Sequence, residues 1–293
     1  MSRPQGVNND ELGTRFQELR PRLIGAAYAL TGSVQEAEDV VQDAWLRLSR
    51  SQTDTITDIE GWLVTTVSRL ALDVLRSARA RRETYVGPWL PEPVVQDADP
   101  GDHVARNDTL NLAVLVVLET LSPAERAVFV LHEVFGVPFD EVATAVGRTP
   151  AACRQMARRA RRHVAARTPR FEVDSTTHRR AVDAFVTAAT AGDLTSLTRL
   201  LDPDVVLRTD GGGQVRAALN PIHGSERVLR FLGGVTQRFN QGTSYGPATV
   251  NGLPGLLRYH NGQADAVVSF VVAHRRVIEI HVILNPEKLR TVT

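Results

Sequence analysis

Arg148, Arg154, Arg158, Arg159, Arg161, Arg162, Arg167 and Arg170 follow one another with no acid before Glu172. A guanidinium is a planar fork of donors that stays charged at physiological pH, and it fits phosphate oxygens and the guanine edge. Each good bidentate base contact contributes about 1–3 kcal/mol of discrimination. At helical spacing Arg154, Gln155, Arg158 and Arg162 share a solvent face, while Val142, Val146, Met156, Ala160 and Val164 supply a buried stripe. A merely solvated face would normally be balanced by Glu or Asp. This one is not, so the chemistry predicts a polyanionic ligand, with DNA ahead of bare solvent.

The surrounding residues say how that face is held. Pro138 suits the first turn of a short helix, and Gly147 suits its left-handed stop. Thr149 and Pro150 then give an N-cap and a first-turn proline for the arginine-bearing helix. Two helices joined by a tight glycine-bearing turn form a helix-turn-helix. Upstream, Asp10 to Gly32 reads as a helix. Ser33 with Glu36 forms a capping box opening a second helix, whose one face is acidic through Glu38, Asp39, Gln42 and Asp43. A third helix, Asp58 to Arg82, gathers Arg69, Arg76, Arg79, Arg81 and Arg82 towards its C-terminal end, where Asp73 is the one acid over that span, again favouring a polyanion.

The chain has 293 residues, 34 Lys plus Arg, 33 Asp plus Glu and a net charge of +1, so local charge blocks cancel overall. That length predicts two or three domains. No apolar run is long enough to span a bilayer. Met1 to Asp10 is polar, which predicts no secretory signal and a cytoplasmic protein. Cys153 is the only cysteine, so no internal disulfide can form, and a small buried residue is the expected reading. There is no CxxC, no HExxH and no phosphate loop at Asp210 to Gly213, so neither metal nor cofactor is expected.

The order Glu38-Asp39-Val40-Val41-Gln42-Asp43-Ala44-Trp45, then Gly61-Trp62-Leu63 and Leu72-Asp73-Val74-Leu75-Arg76, resembles region two of an extracytoplasmic-function sigma factor. Leu121 to Arg162, opened by Ser122-Pro123-Ala124-Glu125-Arg126, resembles region four of the same family. Trp89-Leu90-Pro91-Glu92-Pro93, Asp210-Gly211-Gly212-Gly213 and Asn285-Pro286-Glu287-Lys288-Leu289 are similar to signatures of the subgroup with a fused SnoaL-like domain. Ser68-Arg69 departs from the Arg-Asn that many members carry there.

The resemblance implies region two over 10–84, a Pro-rich and acidic linker over 85–108 with Asp97, Asp99 and Asp102, and region four over 109–170. A SnoaL/NTF2-like α+β cone over 174–293 would follow these two all-α domains. It implies docking on core RNA polymerase through Glu38, Asp39, Gln42, Asp43 and Trp45. Promoter contact would come at the minus-ten element through Arg69, Arg76, Arg79 and Arg82. At the minus-thirty-five element it would come through Arg148, Thr149, Arg154, Gln155, Arg158, Arg159 and Arg162. The acidic linker would thread the polymerase near the template or transcript path. The three subgroup signatures are the expected contacts by which the fused domain regulates the sigma regions in place of a separate anti-sigma protein.

In the last third, helices over His178 to Thr190, Leu194 to Leu201 and Ser225 to Arg238 and a strand at Val205 to Thr209 precede antiparallel strands from Thr243 to Leu284. Asn251-Gly252 and Asn261-Gly262 are hairpin turns. Cyclases and isomerases share this fold class, which makes a DNA-tethered enzyme the rival reading, beside a promoter regulator that never docks on polymerase. Its acid–base candidates are Asp210, His223, Asp265, His281, Tyr245 and Tyr259, none paired by the sequence. A small ligand in the cone is compatible with either reading.

Overall fold

The computed structural model describes residues 9–51, 56–96, 111–167, 175–239 and 242–292. Asp97, Asp99, Asp102 and Arg170, and with the three acids the second half of the linker, lie outside the described residues. The chain forms two compact units: residues 1–81, 103–109 and 117–167, and residues 82–102, 110–116 and 168–293. No helix among the described residues is long and apolar enough to cross a membrane.

The first unit is helical. α1 (Asn9–Thr31) buries Phe16, Leu23, Ile24, Ala27 and Leu30. It stops at Gly32, whose φ of 73° lets its N–H reach back to the Tyr28 carbonyl at 2.7 Å. Ser33 then accepts from the Glu36 N–H and opens α2 (Val34–Arg50), which buries Ala37, Val40, Val41, Ala44 and Leu48. α3 (Ile59–Glu83) buries Leu63, Val67, Leu72 and Leu75. α5 (Pro123–Val128) starts at a complete Ser122–Glu125 capping box and continues as a π-helical turn over Phe129–Val134. α6 (Phe139–Val146) and α7 (Pro150–Arg167) form the helix-turn-helix. Pro138 lies one place outside α6 as its N-cap, not in its first turn, because its ψ of 145° is extended.

The second unit is α+β. α8 (Ser175–Ala191), α9 (Leu194–Leu200) and α10 (Ser225–Phe239) accompany strands β1 (Val95–Gln96), β2 (Leu201–Asp210), β3 (Ile222–His223), β4 (Thr243–Val250), β5 (Leu253–His260), β6 (Gln263–Ala273) and β7 (Arg276–Ile283). The sheet order is β1-β4-β5-β6-β7-β2-β3. The strands from β4 to β7 are antiparallel as expected, and the sheet as a whole is mixed. β2 runs parallel to β7, because the chain returns to the sheet through α10 and three hairpin strands before β7 reaches it.

On one face of the sheet Leu207, Leu256, Phe270 and Ile280 pack against Phe185, Leu197 and Val228 of the helices. Strand alternation sends Val250, Leu257, Val267 and Ile283 to the other face. There they are covered by Leu90, Val95 and Leu289 and by Leu112 of α4 (Leu112–Leu118). The stretch after Tyr85 is therefore part of this domain's core, not a plain spacer: β1 adds antiparallel to β4, with Val95 opposite Val250. Burying Leu90, at 0% exposure, contributes about 1.5–3 kcal/mol.

Candidate nucleic-acid interface

α7 is fixed from below by Cys153, Met156, Ala157, Ala160 and Val164, all buried. Gly147, at φ 70° and ψ 44°, ends α6, and the Thr149 hydroxyl accepts from the Ala152 N–H at 3.2 Å to start α7. Thr149 is thus committed to a cap. The opposite face exposes Arg154, Gln155, Arg158, Arg159, Arg161 and Arg162. Two of these are held by acids of the preceding helical segment: Arg159 sits 3.4 Å from Glu125, and Arg161 meets Glu133 with two bonds of 3.0 and 2.6 Å. Arg154 stands 5.6 Å from the Phe139 ring. Arg148 turns onto the Gly147 carbonyl at 3.2 Å. Arg158 and Arg162 have no hydrogen-bond or ion-pair partner among the described residues. The face therefore divides into braced and unbraced guanidiniums. Burial raises the Cys153 thiol against the opposing charge of Arg148, so it stays protonated and packs as a small apolar group.

The basic end of α3 is arranged differently. Arg69 donates from Nε and a terminal nitrogen to the Thr144 carbonyl, at 3.3 and 2.9 Å, and so caps the end of α6. Arg79 reaches the Leu121 carbonyl at 3.5 Å. Arg76 pairs with Asp73 on the surface at 3.2 Å. Arg82 lies over the Trp89 ring, 3.5 Å from its centroid, as a cation–π pair within the second unit. The structure thus does not gather these four onto one free surface.

On α2, Glu38, Asp39, Gln42 and Asp43 are exposed along the face opposite Val40, Val41 and Leu48. Glu38 makes a loose 3.8 Å pair with Arg20. Trp45 is half-buried against Phe16 at 4.7 Å between centroids, so part of its role is to hold α2 on α1.

In the second unit the three signature segments converge on Asp210, whose side chain is fully buried. Its carboxylate accepts from the Leu90 N–H at 2.8 Å, the Tyr85 hydroxyl at 2.6 Å, the Gly212 N–H at 3.1 Å and the Lys288 ammonium at 2.7 Å. Lys288 also donates to the Leu90 carbonyl and stands 4.1 Å from the Trp89 ring. Asn285 donates to the Tyr85 hydroxyl at 2.9 Å. Gly212, at φ 62°, could carry no Cβ, which would lie 2.5 Å from the Asn285 side chain. A Cβ on Gly211 would come 2.2 Å from the Val215 carbonyl, and one on Gly213 would press Val86. Pro91, Glu92 and Pro93 are buried, and the Val94 N–H and C=O close on Asn251 at 3.1 and 2.8 Å. Pro286 opens a single helical turn, and Leu289 packs on the outer-face core. Burial, the hydrogen bond to Asp210 and that carboxylate's charge push the Tyr85 hydroxyl well above its usual pKa, so it acts as a neutral donor. Tyr85 escaped the sequence reading, and Asn251 was read there only as a hairpin-turn residue. Tyr85 sits four residues before Trp89, and only that proximity to a signature could have pointed to it.

The acid–base candidates are scattered. Asp210 is used up in this knot. Asp265 is held by Arg258 through two bonds of 2.7 and 2.8 Å. His281, fully buried, meets Glu279 at 2.9 Å, and Glu279 meets Arg208 at 2.5 Å. His223 is exposed on β3, Tyr245 is exposed on β4, and Tyr259 packs on the outer-face core. Burial alone would raise the Glu279 carboxyl, but His281 and Arg208 more than offset it and hold it below the usual range. Among the described residues no cluster of three or more ligating side chains could hold a metal.

Known proteins place this geometry. The Sigma-70 region 2 family matches residues 15–81, and the Sigma-70 region 4 family matches residues 111–164. The chain is 42% identical over 290 residues to the ECF RNA polymerase sigma factor SigJ of Mycobacterium tuberculosis, covering 94% of this chain and 92% of that one. It is 35% identical over 284 residues to the probable ECF sigma factor SigI of the same organism, covering 96% of each. The crystal structure of SigJ superposes with a TM-score of 0.78 at 38% identity, over 94% of this chain and 98% of that one. Two sigma regions in order, followed by an α+β domain, match these relatives along nearly their full length. The chain therefore belongs to the extracytoplasmic-function sigma factors, which bind core RNA polymerase and direct promoter-specific transcription initiation.

Proposed function

We propose that the exposed face of α7 reads duplex DNA at the minus-thirty-five element, with Arg158 and Arg162 as its unbraced contacts and Arg154, Gln155 and Arg159 beside them. The observation that carries this is the pair of partnerless guanidiniums on a helix whose other side is fully packed. Arg69, Arg76 and Arg79 serve the minus-ten element, and for Arg69 and Arg79 this exchanges a bond to a carbonyl for a bond to phosphate. Glu38, Asp39, Gln42 and Asp43 form the polymerase-facing surface of a cytoplasmic initiation factor. The fused domain regulates initiation through the knot of Trp89–Pro93, Asp210–Gly213 and Asn285–Leu289. In this reading the fused domain is a regulatory binding module, and a cyclase-type enzyme tethered to the DNA-binding module is the rival.

Run-off transcription with purified core polymerase on genomic fragments tests the reading. The full chain is expected to start transcription at discrete sites, and Asp39→Arg with Asp43→Arg is expected to abolish capture by core while the protein stays folded. Normal capture by that double variant at physiological salt would remove the polymerase assignment. Arg158→Ala is expected to lose promoter preference or salt sensitivity, and indifference would remove the α7 assignment.

A further inference from the structure

The hairpin joining β6 to β7 turns through His274 and Arg275, at φ 51° and 60°. The sheet's other two hairpins place Asn251-Gly252, at φ 47° and 78°, and Asn261-Gly262, at φ 52° and 82°, in the same two positions. Two-residue turns of this hand need left-handed backbone at both residues, which Asn-Gly supplies readily and Arg does not. One turn of the three thus keeps basic side chains where the chain elsewhere relieves the strain.

His274, Arg275 and the adjoining Arg276 are all exposed, and none has a hydrogen-bond, ion-pair or ring partner among the described residues. Just below the tip, Val271 faces Glu279 while Val272 faces Val277, so Ile278 is an extra residue that bends and twists the hairpin. The nearby acids are mostly occupied. Glu279 is tied to Arg208 and His281, and Asp202, near where β2 loops out, accepts from the Asp204 N–H at 3.0 Å.

We infer that the His274–Arg276 tip is a further nucleic-acid contact, gripping phosphates without reading sequence. A three-residue knob cannot supply the roughly 800 Å² per partner of a stable protein interface. A phosphate row needs only charge and donors, which guanidinium forks provide. The proposal rests on the family's DNA-binding function but not on the assignments within α7.

The test is DNA binding by the full chain with core polymerase, titrated on promoter and scrambled duplexes at several salt concentrations. His274→Asn with Arg275→Gly should raise Tm by about 2–4 °C by relaxing the turn. The same variant should flatten the salt slope by about 0.9 per phosphate lost, equally on both duplexes. Arg275→Gln should flatten the slope without the gain in Tm. Arg158→Ala serves as the control: a slope that responds to Arg158 but to neither hairpin variant overturns the proposal while sparing α7. Loss of core-polymerase capture with an unchanged DNA slope overturns it in favour of an acidic protein surface.

Discussion

The face of α7 and the knot around Asp210 handle charge in opposite ways. On α7, guanidiniums stand in water over an apolar floor, and only Arg159 and Arg161 are braced by Glu125 and Glu133. At Asp210 one carboxylate leaves water completely and is met by four donors from four places in the chain. Exposed charge contributes little to folding and remains available to a partner. Buried charge holds only while every donor stays in place, so it binds distant segments of the same chain to one another. The contrast predicts that substitutions on α7 change binding with little effect on stability, and that substitutions in the knot do the reverse first.

Asp210→Asn is the strongest way to break that contrast. The amide keeps the shape but leaves the Lys288 ammonium, 12% exposed, without its anion. The second unit should lose about 3–5 kcal/mol, read as a drop in urea midpoint and as faster proteolysis between Tyr85 and Pro93. Asp210→Asn with Lys288→Met should recover part of it. A single variant as stable as the parent would show that the knot is not what holds the linker.

Arg126 sharpens the comparison, because the first unit also has a buried cation. Its guanidinium, 1% exposed, donates to the Ala29 carbonyl at 3.0 Å and to Glu119, while one terminal nitrogen has no partner. Glu119→Gln should cost about 1.5–3 kcal/mol, less than Asp210→Asn, because one bond of several is weakened and Glu119 borders solvent. An equal or larger loss would mean that this pair, and not the knot, is the chain's main buried electrostatic anchor.

On α7 the expected effects move from stability to binding. Arg158→Ala and Arg162→Ala should each flatten the salt dependence of DNA binding by about 0.9 if they grip phosphate, or relax sequence preference if they touch bases. Each should change stability by less than about 0.5 kcal/mol. Arg159→Ala should act less on DNA because Glu125 already holds it, and matched titrations of the three variants decide the order.

These contrasts were only partly legible in the sequence. The helix-turn-helix could be read because Gly147, Thr149 and Pro150 act locally, and the α7 face because helical period alone separates Arg158 from Met156. The Asn-Gly hairpins were legible for the same reason, whereas His274-Arg275 was not, because its residues carry no turn signal. The parallel pairing of β2 with β7 depends on a long return through three hairpin strands, which no local pattern records. The residues around Asp210 were flagged by resemblance, but their convergence was not. Tyr85 and Asp210 are 125 positions apart, and burial of Asp210 is a property of the folded sheet. Arg69 and Arg82 read as free cations because a sequence cannot show the Thr144 carbonyl or the Trp89 ring that each one meets.

The smallest expected effect concerns a neutral buried group, intermediate between the two charged cases. His178, 3% exposed on α8, meets the Pro254 carbonyl at 3.2 Å. Burial lowers its pKa, that bond opposes the shift, and Arg179 adds to the lowering. A histidine whose folded pKa lies below its unfolded value of about 6.5 is neutral in the fold while the unfolded chain takes up a proton. Its contribution is therefore fully present above pH about 6.5 and is lost as pH falls from there through the folded value. Glu279, also depressed, holds its contribution down to the carboxylate range and loses it only below pH about 4.5. The two windows are separate, so urea midpoints measured from pH 7.5 to 5 distinguish His178 from Glu279. His178→Asn, which can still donate to Pro254, should flatten that limb while leaving stability near pH 7.5 within about 1 kcal/mol. A limb of unchanged slope in the variant would assign the pH dependence to another group and leave His178 as ordinary packing.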